Sequence, residues 1–130
     1  MEHTKMTTLP IIECEITFLT EQEGGRKRPF SKGGLSGNQY RPHIVIGDIH
    51  QREAIVDDNR YITEEYIGVA FAIGPDIIEM GVPIIVELTL IYYPHVVSDK
   101  LIPGTTFTIR EGGQVVGYGQ VISPVNTNKL

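Results

Sequence analysis

The sequence predicts an all-β chain, a barrel or a sandwich, on three observations. Short runs of β-branched and aromatic residues recur along it. The 14 glycines and 8 prolines fall between those runs as turn residues. Helical periodicity is scarce, so a packed sheet is left as the architecture.

The elements follow in order. In "IIECEITFL" (11–19), Ile12, Cys14, Ile16 and Phe18 share one face while Glu13, Glu15 and Thr17 take the other. That period of two predicts a half-buried strand. "RPHIVIGD" supplies a second strand after a loop, and "EEYIGVAFAI" a third. "VPIIVELTLIYY" alternates less cleanly and reads as a strand buried on both faces. "TTFTIRE" and "QVVGYGQVIS" flank Gly112-Gly113, a hairpin turn, since glycine takes positive φ freely. Gly117 and Gly119 alternate within the last strand and predict a barrel corner or the close approach of another backbone. Only "HQREAIVDDNRY" (50–61) has the makings of a short helix.

At 130 residues the chain holds one domain. The expected bounds are 10–124, with a frayed N-terminus over 1–9 and a flexible tail over 125–130. "MEHTKMTTLP" lacks the apolar stretch of a signal peptide, and no run is long enough for a membrane span. One cysteine excludes an intrachain disulfide and favours a reducing, cytoplasmic setting. The net charge of −5 disfavours indiscriminate nucleic-acid binding but leaves room for a local basic face.

Such a face is offered by "EGGRKRPF" (23–30), a Gly24-Gly25 turn followed at once by Arg26, Lys27 and Arg28. With Lys32 and Arg41 these cations form a candidate anion-binding set, because phosphates and carboxylates take several guanidinium or ammonium donors. The competing reading pairs Arg26 and Arg41 with Glu21, Glu23 or Glu111 and leaves the lysines solvated. Arg110 is expected to pair with Glu23 or Glu111 at the barrel rim. The Asp57-Asp58 and Glu64-Glu65 pairs read as a solvated loop. His3, His43, His50 and His95 have no zinc-site spacing, Cys14 reads as buried, and no serine sits in a nucleophile elbow. No catalytic residue, metal or cofactor is therefore expected. Tyr92, Tyr93 and Pro94 close a strand either as an exposed interface patch or as a plug for the barrel end.

Three motifs in order, "EGGRKRPF", "YRPH" (40–43) and "TTFTIREGGQVVGYGQVI" (105–122), resemble the C-terminal, third domain of bacterial elongation factor Tu. The family pattern runs E-G-G-R-x-x-P-F, then G-Y-R-P-Q-F, then R-F-A-I-R-E-G-G-R-T-V-G-A-G-V-V. "GPDIIEMGVPIIVELTLI" also resembles the family's penultimate long strand. The resemblance implies a small antiparallel β-barrel of about six strands. It also implies contacts with neighbouring domains, the exchange factor and the backbone of the tRNA T-stem, with Arg26 and Arg41 at matching positions. His43 stands where the family has a contacting glutamine, and so joins the candidate set as a donor to a phosphate or carbonyl.

The departures are equally plain. No G-x-x-x-x-G-K-[ST] is present, so no nucleotide is expected to bind, and the chain reads as a stand-alone domain without the GTPase part. Gln114 replaces the last motif's arginine, "SKGGLSGNQ" lengthens the first loop, and an acidic "GDIHQREAIVDDNRYITEEY" stands for the family's R-T-T-D segment. The expected function is a non-catalytic module binding a protein of the translation apparatus, or tRNA, through its cations. The alternative is a structural or self-associating barrel, a homo-oligomer, in which the arginines and glycines serve stability.

Overall fold

The computed structural model describes residues 9–94 and 98–126. Six strands form: β1 (Ile11–Phe18), β2 (His43–Ile46), β3 (Ile67–Ile73), β4 (Ile84–Leu90), β5 (Thr106–Glu111) and β6 (Gln114–Asn126). They close into an antiparallel barrel in the order β1-β4-β3-β2-β5-β6. The expected all-β barrel is the fold observed. Closure leaves the sheet without a free edge along most of its length.

The alternation in β1 does what its period demands. Ile12, Cys14, Ile16 and Phe18 are buried together with Phe71, Leu88, Phe107 and Ile109. Glu15 is exposed, but Thr17, expected on the solvent face, is buried. It shares a recess with Ile49 and Tyr118, contributed by the loop after β2 and by β6.

Gly117 and Gly119 mark a close approach of two backbones, as their alternation predicts. A Cβ on Gly117 would stand 2.8 Å from the Thr17 carbonyl oxygen, and one on Gly119 would collide with the Glu15 carbonyl. The β1–β6 pairing runs through Ile16↔Gly119 and Phe18↔Gly117, so any side chain here would push the two strands apart.

The lengthened first loop is part of the core. Leu35 is fully buried, and Gly37 N and Asn38 N donate to the carbonyls of Ala72 and Phe71 at 3.0 and 2.9 Å. Phe71 N and Val69 N in turn donate to the Tyr40 and Pro42 carbonyls. The chain from 37 to 42 thus carries the ladder beyond the short β2.

No helix forms over 50–61. The segment holds isolated bridges, Glu53↔Gln114 and Val56↔Ile62, around a turn in which Asp57 Oδ1 accepts from Asn59 N and Tyr61 N at 2.9 Å. Side-chain bonds of this kind compete directly with helical ones. Tyr93 packs half-buried against the core, while Tyr92 is exposed with its ring beside Gly68.

Leu9 is buried and β6 ends at Asn126, just outside the expected bounds of 10 and 124. The rest of the expected termini, 1–8 and 127–130, lies outside the described residues, as does His95. Among the described residues no helix is long and apolar enough to cross a membrane.

Candidate functional site

The two Glu-Gly-Gly turns, far apart in sequence, meet in space. After β1 the chain makes one turn of 3-10 helix, Glu21–Glu23, closed at its start by a capping box. Glu23 N donates to Thr20 Oγ1 at 3.2 Å, and Thr20 N donates to Glu23 Oε1 at 2.9 Å. Gly24 ends the turn at φ +96°, a conformation that favours glycine. The Gln114 amide, just past the second turn, donates to the Gly24 and Gly25 carbonyls at 2.9 and 3.2 Å. The residue that departs from the family's arginine is thereby the clasp between the turns.

Glu111 completes the junction. Its Oε2 forms an ion pair with Arg26 Nε at 2.8 Å and accepts a hydrogen bond from the Tyr40 hydroxyl at 2.6 Å. The Arg26 guanidinium lies 3.9 Å from the Phe30 ring centroid and 5.6 Å from that of Tyr40, a cation–π arrangement on two faces. Phe30 and Tyr40 pack edge to face at 4.8 Å and rest on Phe18 and Phe71. Burial, then the Glu111 carboxylate beside it, pushes the Tyr40 hydroxyl well above its ordinary range, so it stays a donor. Arg26 Nη1 is buried with no hydrogen-bond partner among the described residues.

Around this junction Arg26, Lys27, Arg28, Glu111 and Gln114 line a recess of ≈ 400 Å³. Lys27 and Arg28 are exposed. Of the six expected binding residues, the fold brings Arg26, Lys27 and Arg28 together. Arg41 follows Tyr40 directly but is exposed, and its Nε donates to the Asn38 carbonyl at 2.9 Å. Lys32 sits in the lengthened loop, where neighbouring Gly33 N donates to the Asp76 carbonyl at 3.0 Å. Neither lines the recess. His43 opens β2 opposite Arg110, its ring 5.4 Å from that of Tyr66.

The second arginine junction departs from expectation. Arg110 is fully buried and pairs with Glu64, not with Glu23 or Glu111. The pair is bidentate, Nη1 to Oε1 at 2.9 Å and Nη2 to Oε2 at 3.0 Å. Arg110 also donates to Thr108 Oγ1 and the Tyr66 hydroxyl. Glu64 accepts further from Gln51 Nε2 at 2.7 Å and Ile55 N at 2.9 Å. These bonds, the Arg110 guanidinium first, hold the Glu64 carboxyl down at about 2. Glu64 therefore is no solvated loop residue. It anchors the acidic 47–66 loop over the outer face of β5, since Ile109 on the same strand points into the core. Asp57 and Asp58 are exposed, as their loop position suggests.

Two residues essential to the geometry do not read as site residues in the sequence. Glu64 lacked any local sign, because its partner lies 46 positions away. Gln114 was visible only as a departure from a motif. Cys14 is buried, and that burial, with Glu13 next to it, pushes the thiol up to about 12, so it is not a thiolate at neutral pH. Among the described residues no group of three His, Cys, Asp or Glu side chains is placed to hold a metal ion.

A site made of two exposed cations, a fixed guanidinium and a shallow recess can bind anionic groups and hold them by charge and direction. It stands where the two turns carrying the E-G-G-R-x-x-P-F and I-R-E-G-G patterns touch. A family model described as the elongation factor Tu C-terminal domain matches residues 5–124, and the chain belongs to that family.

Proposed function

We propose that this barrel is a non-catalytic binding module that docks through Lys27 and Arg28 on an anionic surface of the translation apparatus, a protein or a tRNA backbone. One observation carries the reading. The loop bearing the two cations is held to the barrel by Arg26–Glu111 and by Gln114, while Lys27 and Arg28 themselves stay exposed. A loop held in place loses little conformational entropy on binding, so its charges act with direction. Arg26 then serves as a positioning residue, stacked on Phe30, while Lys32 and Arg41 extend the positive field beyond the recess. His43, opposite Arg110 on β2, makes no contact in this scheme.

The test is a titration of purified tRNA in increasing salt, run on the full chain and on Lys27→Ala/Arg28→Ala. Backbone binding predicts a steep fall of affinity with salt and a shallower slope by about two in the double variant. His43→Ala should bind as the unmodified chain does. No association with tRNA at low salt would remove the RNA form of the reading. The protein form would then be tested on isolated acidic factors of the translation apparatus with the same two chains.

A further inference from the structure

The barrel carries a second face of opposite sign. Strand register sets Ser123, Glu13, Glu87 and Ile73 in one row across β6, β1, β4 and β3, with Gln120, Glu15 and Ile85 in the next. Glu13 and Glu87 stand directly opposite each other, an arrangement that costs stability when both are ionised. None of the three glutamates takes part in an ion pair among the described residues. Ile73 and Ile85 flank them at 56% and 49% exposure, so apolar surface adjoins the unneutralised charge. Such a face fits a cationic surface carried on a protein.

The chain holds that complement itself. Lys27 and Arg28 are exposed and without an ionic partner among the described residues. They cannot reach the acidic rows within one molecule. Glu13 pairs with Ser123 and Glu15 with Gln120, while the cationic loop is clasped at Gln114, which puts the acidic rows about 20–30 Å away along β6.

We infer that the acidic outer face of β1 and β4 is a docking surface for a second copy of this chain, entered by its Lys27–Arg28 loop. The inference rests on the proposed role of that loop in binding anionic surfaces. The contact is heterologous, with different patches meeting, so each added copy leaves a free face at either end. Association grows with concentration, weakens with salt, and is reversed by any polyanion that takes the loop.

Sedimentation velocity on the full chain tests this. The expected result is a weight-average size that rises with concentration at low salt and returns to the monomer value at high salt. Glu13→Lys/Glu87→Lys and Lys27→Glu/Arg28→Glu should each weaken association by about tenfold or more, since like charges then face each other across the contact. An equimolar mixture of the two should restore it, because each variant then meets a surface of opposite sign. Glu87→Lys alone adds a folding control: it converts Glu13–Glu87 into an opposite-charge pair, so thermal stability should rise while association falls. A chain that stays monomeric at low salt and high concentration overturns the inference, as does association untouched by both reversals or a mixture that stays monomeric. The functional reading is judged separately. Glu13→Lys/Glu87→Lys leaves the cationic loop intact and should bind tRNA or acidic factor at least as well as the unmodified chain. If Lys27→Glu/Arg28→Glu also leaves that binding unchanged, the functional reading fails instead.

Discussion

Two arginine–glutamate pairs hold two loops to the same β5–β6 hairpin, and they differ in almost every physical respect. On one side, Arg110 and Glu64 are nearly sealed from solvent, with side-chain exposures of 0% and 9%. Their bond is bidentate, and every remaining Glu64 contact goes to the 47–66 loop. On the other, Arg26 and Glu111 keep 20% and 30% exposure and share one ion-pair contact, helped by stacking on Phe30. The same hairpin is gripped from both sides, since Tyr66 hydroxyl donates to the Gly112 carbonyl while Gln114 donates to Gly24 and Gly25. The buried pair serves architecture. The half-exposed pair fixes a loop while leaving its neighbours Lys27 and Arg28 in solvent.

The largest effect follows from removing one partner of the buried pair. Glu64→Ala would strand the Arg110 guanidinium without its carboxylate, and loss of one partner of a buried pair typically costs about 3–5 kcal/mol. Chemical denaturation should register that loss, together with faster hydrogen exchange across the 47–66 loop, whose other ties, the Tyr66 hydroxyl to Gly112 and the Glu53–Gln114 bridge, lie at its far end and middle. A cost below about 1 kcal/mol would mean that the two junctions are alike after all.

Acid offers a graded version of the same break. Glu64 has a folded value of about 2 against an ordinary 4.5, because Arg110 and then Gln51 and Ile55 donate to its ionised form. A depressed carboxyl contributes stability that is fully present above its unfolded value and vanishes as pH falls through the folded one. The stability advantage of the unmodified chain over Glu64→Gln should therefore hold above about pH 4.5 and shrink steadily toward pH 2. Urea midpoints for the two chains across that range measure it. A constant gap would show that Glu64 acts through shape, not through charge.

That contrast also explains what the sequence disclosed. The β1 alternation, the Gly112-Gly113 hairpin and the close approach at Gly117 and Gly119 are local consequences of period and missing side chains, so they were legible. The Arg26–Glu111 pair was one of the expected options, because both residues flank turns of the same pattern. Arg110–Glu64 was not, since nothing near Glu64 in sequence distinguishes it from Asp57 or Asp58, and burial under a loop is a tertiary fact. The failed helix over 50–61 has the same origin: the Asp57 side chain bonds to backbone groups, and the Glu53 backbone bridges to Gln114 on β6 instead. The cations sorted by geometry as well. Arg26, Lys27 and Arg28 share a recess because they are consecutive after a fixed turn, whereas Arg41 and Lys32 needed the loop path to be known.

The smallest effect lies at the exposed junction and concerns shape more than charge. Arg26→Lys keeps a positive group near Glu111 but removes the planar guanidinium that lies on Phe30 and pairs with the carboxylate through Nε. A stability loss of about 1 kcal/mol is expected, the scale of a partly exposed ion pair and cation–π contact combined. Lys27→Ala/Arg28→Ala should leave stability within about 0.5 kcal/mol of the unmodified chain, as surface changes do, while weakening anion binding more than Arg26→Lys does. Thermal melts and tRNA titrations on the same three proteins separate the two roles. If Arg26→Lys weakens binding most and stability not at all, Arg26 is itself the contact, and the loop needs no clasp to present its charges.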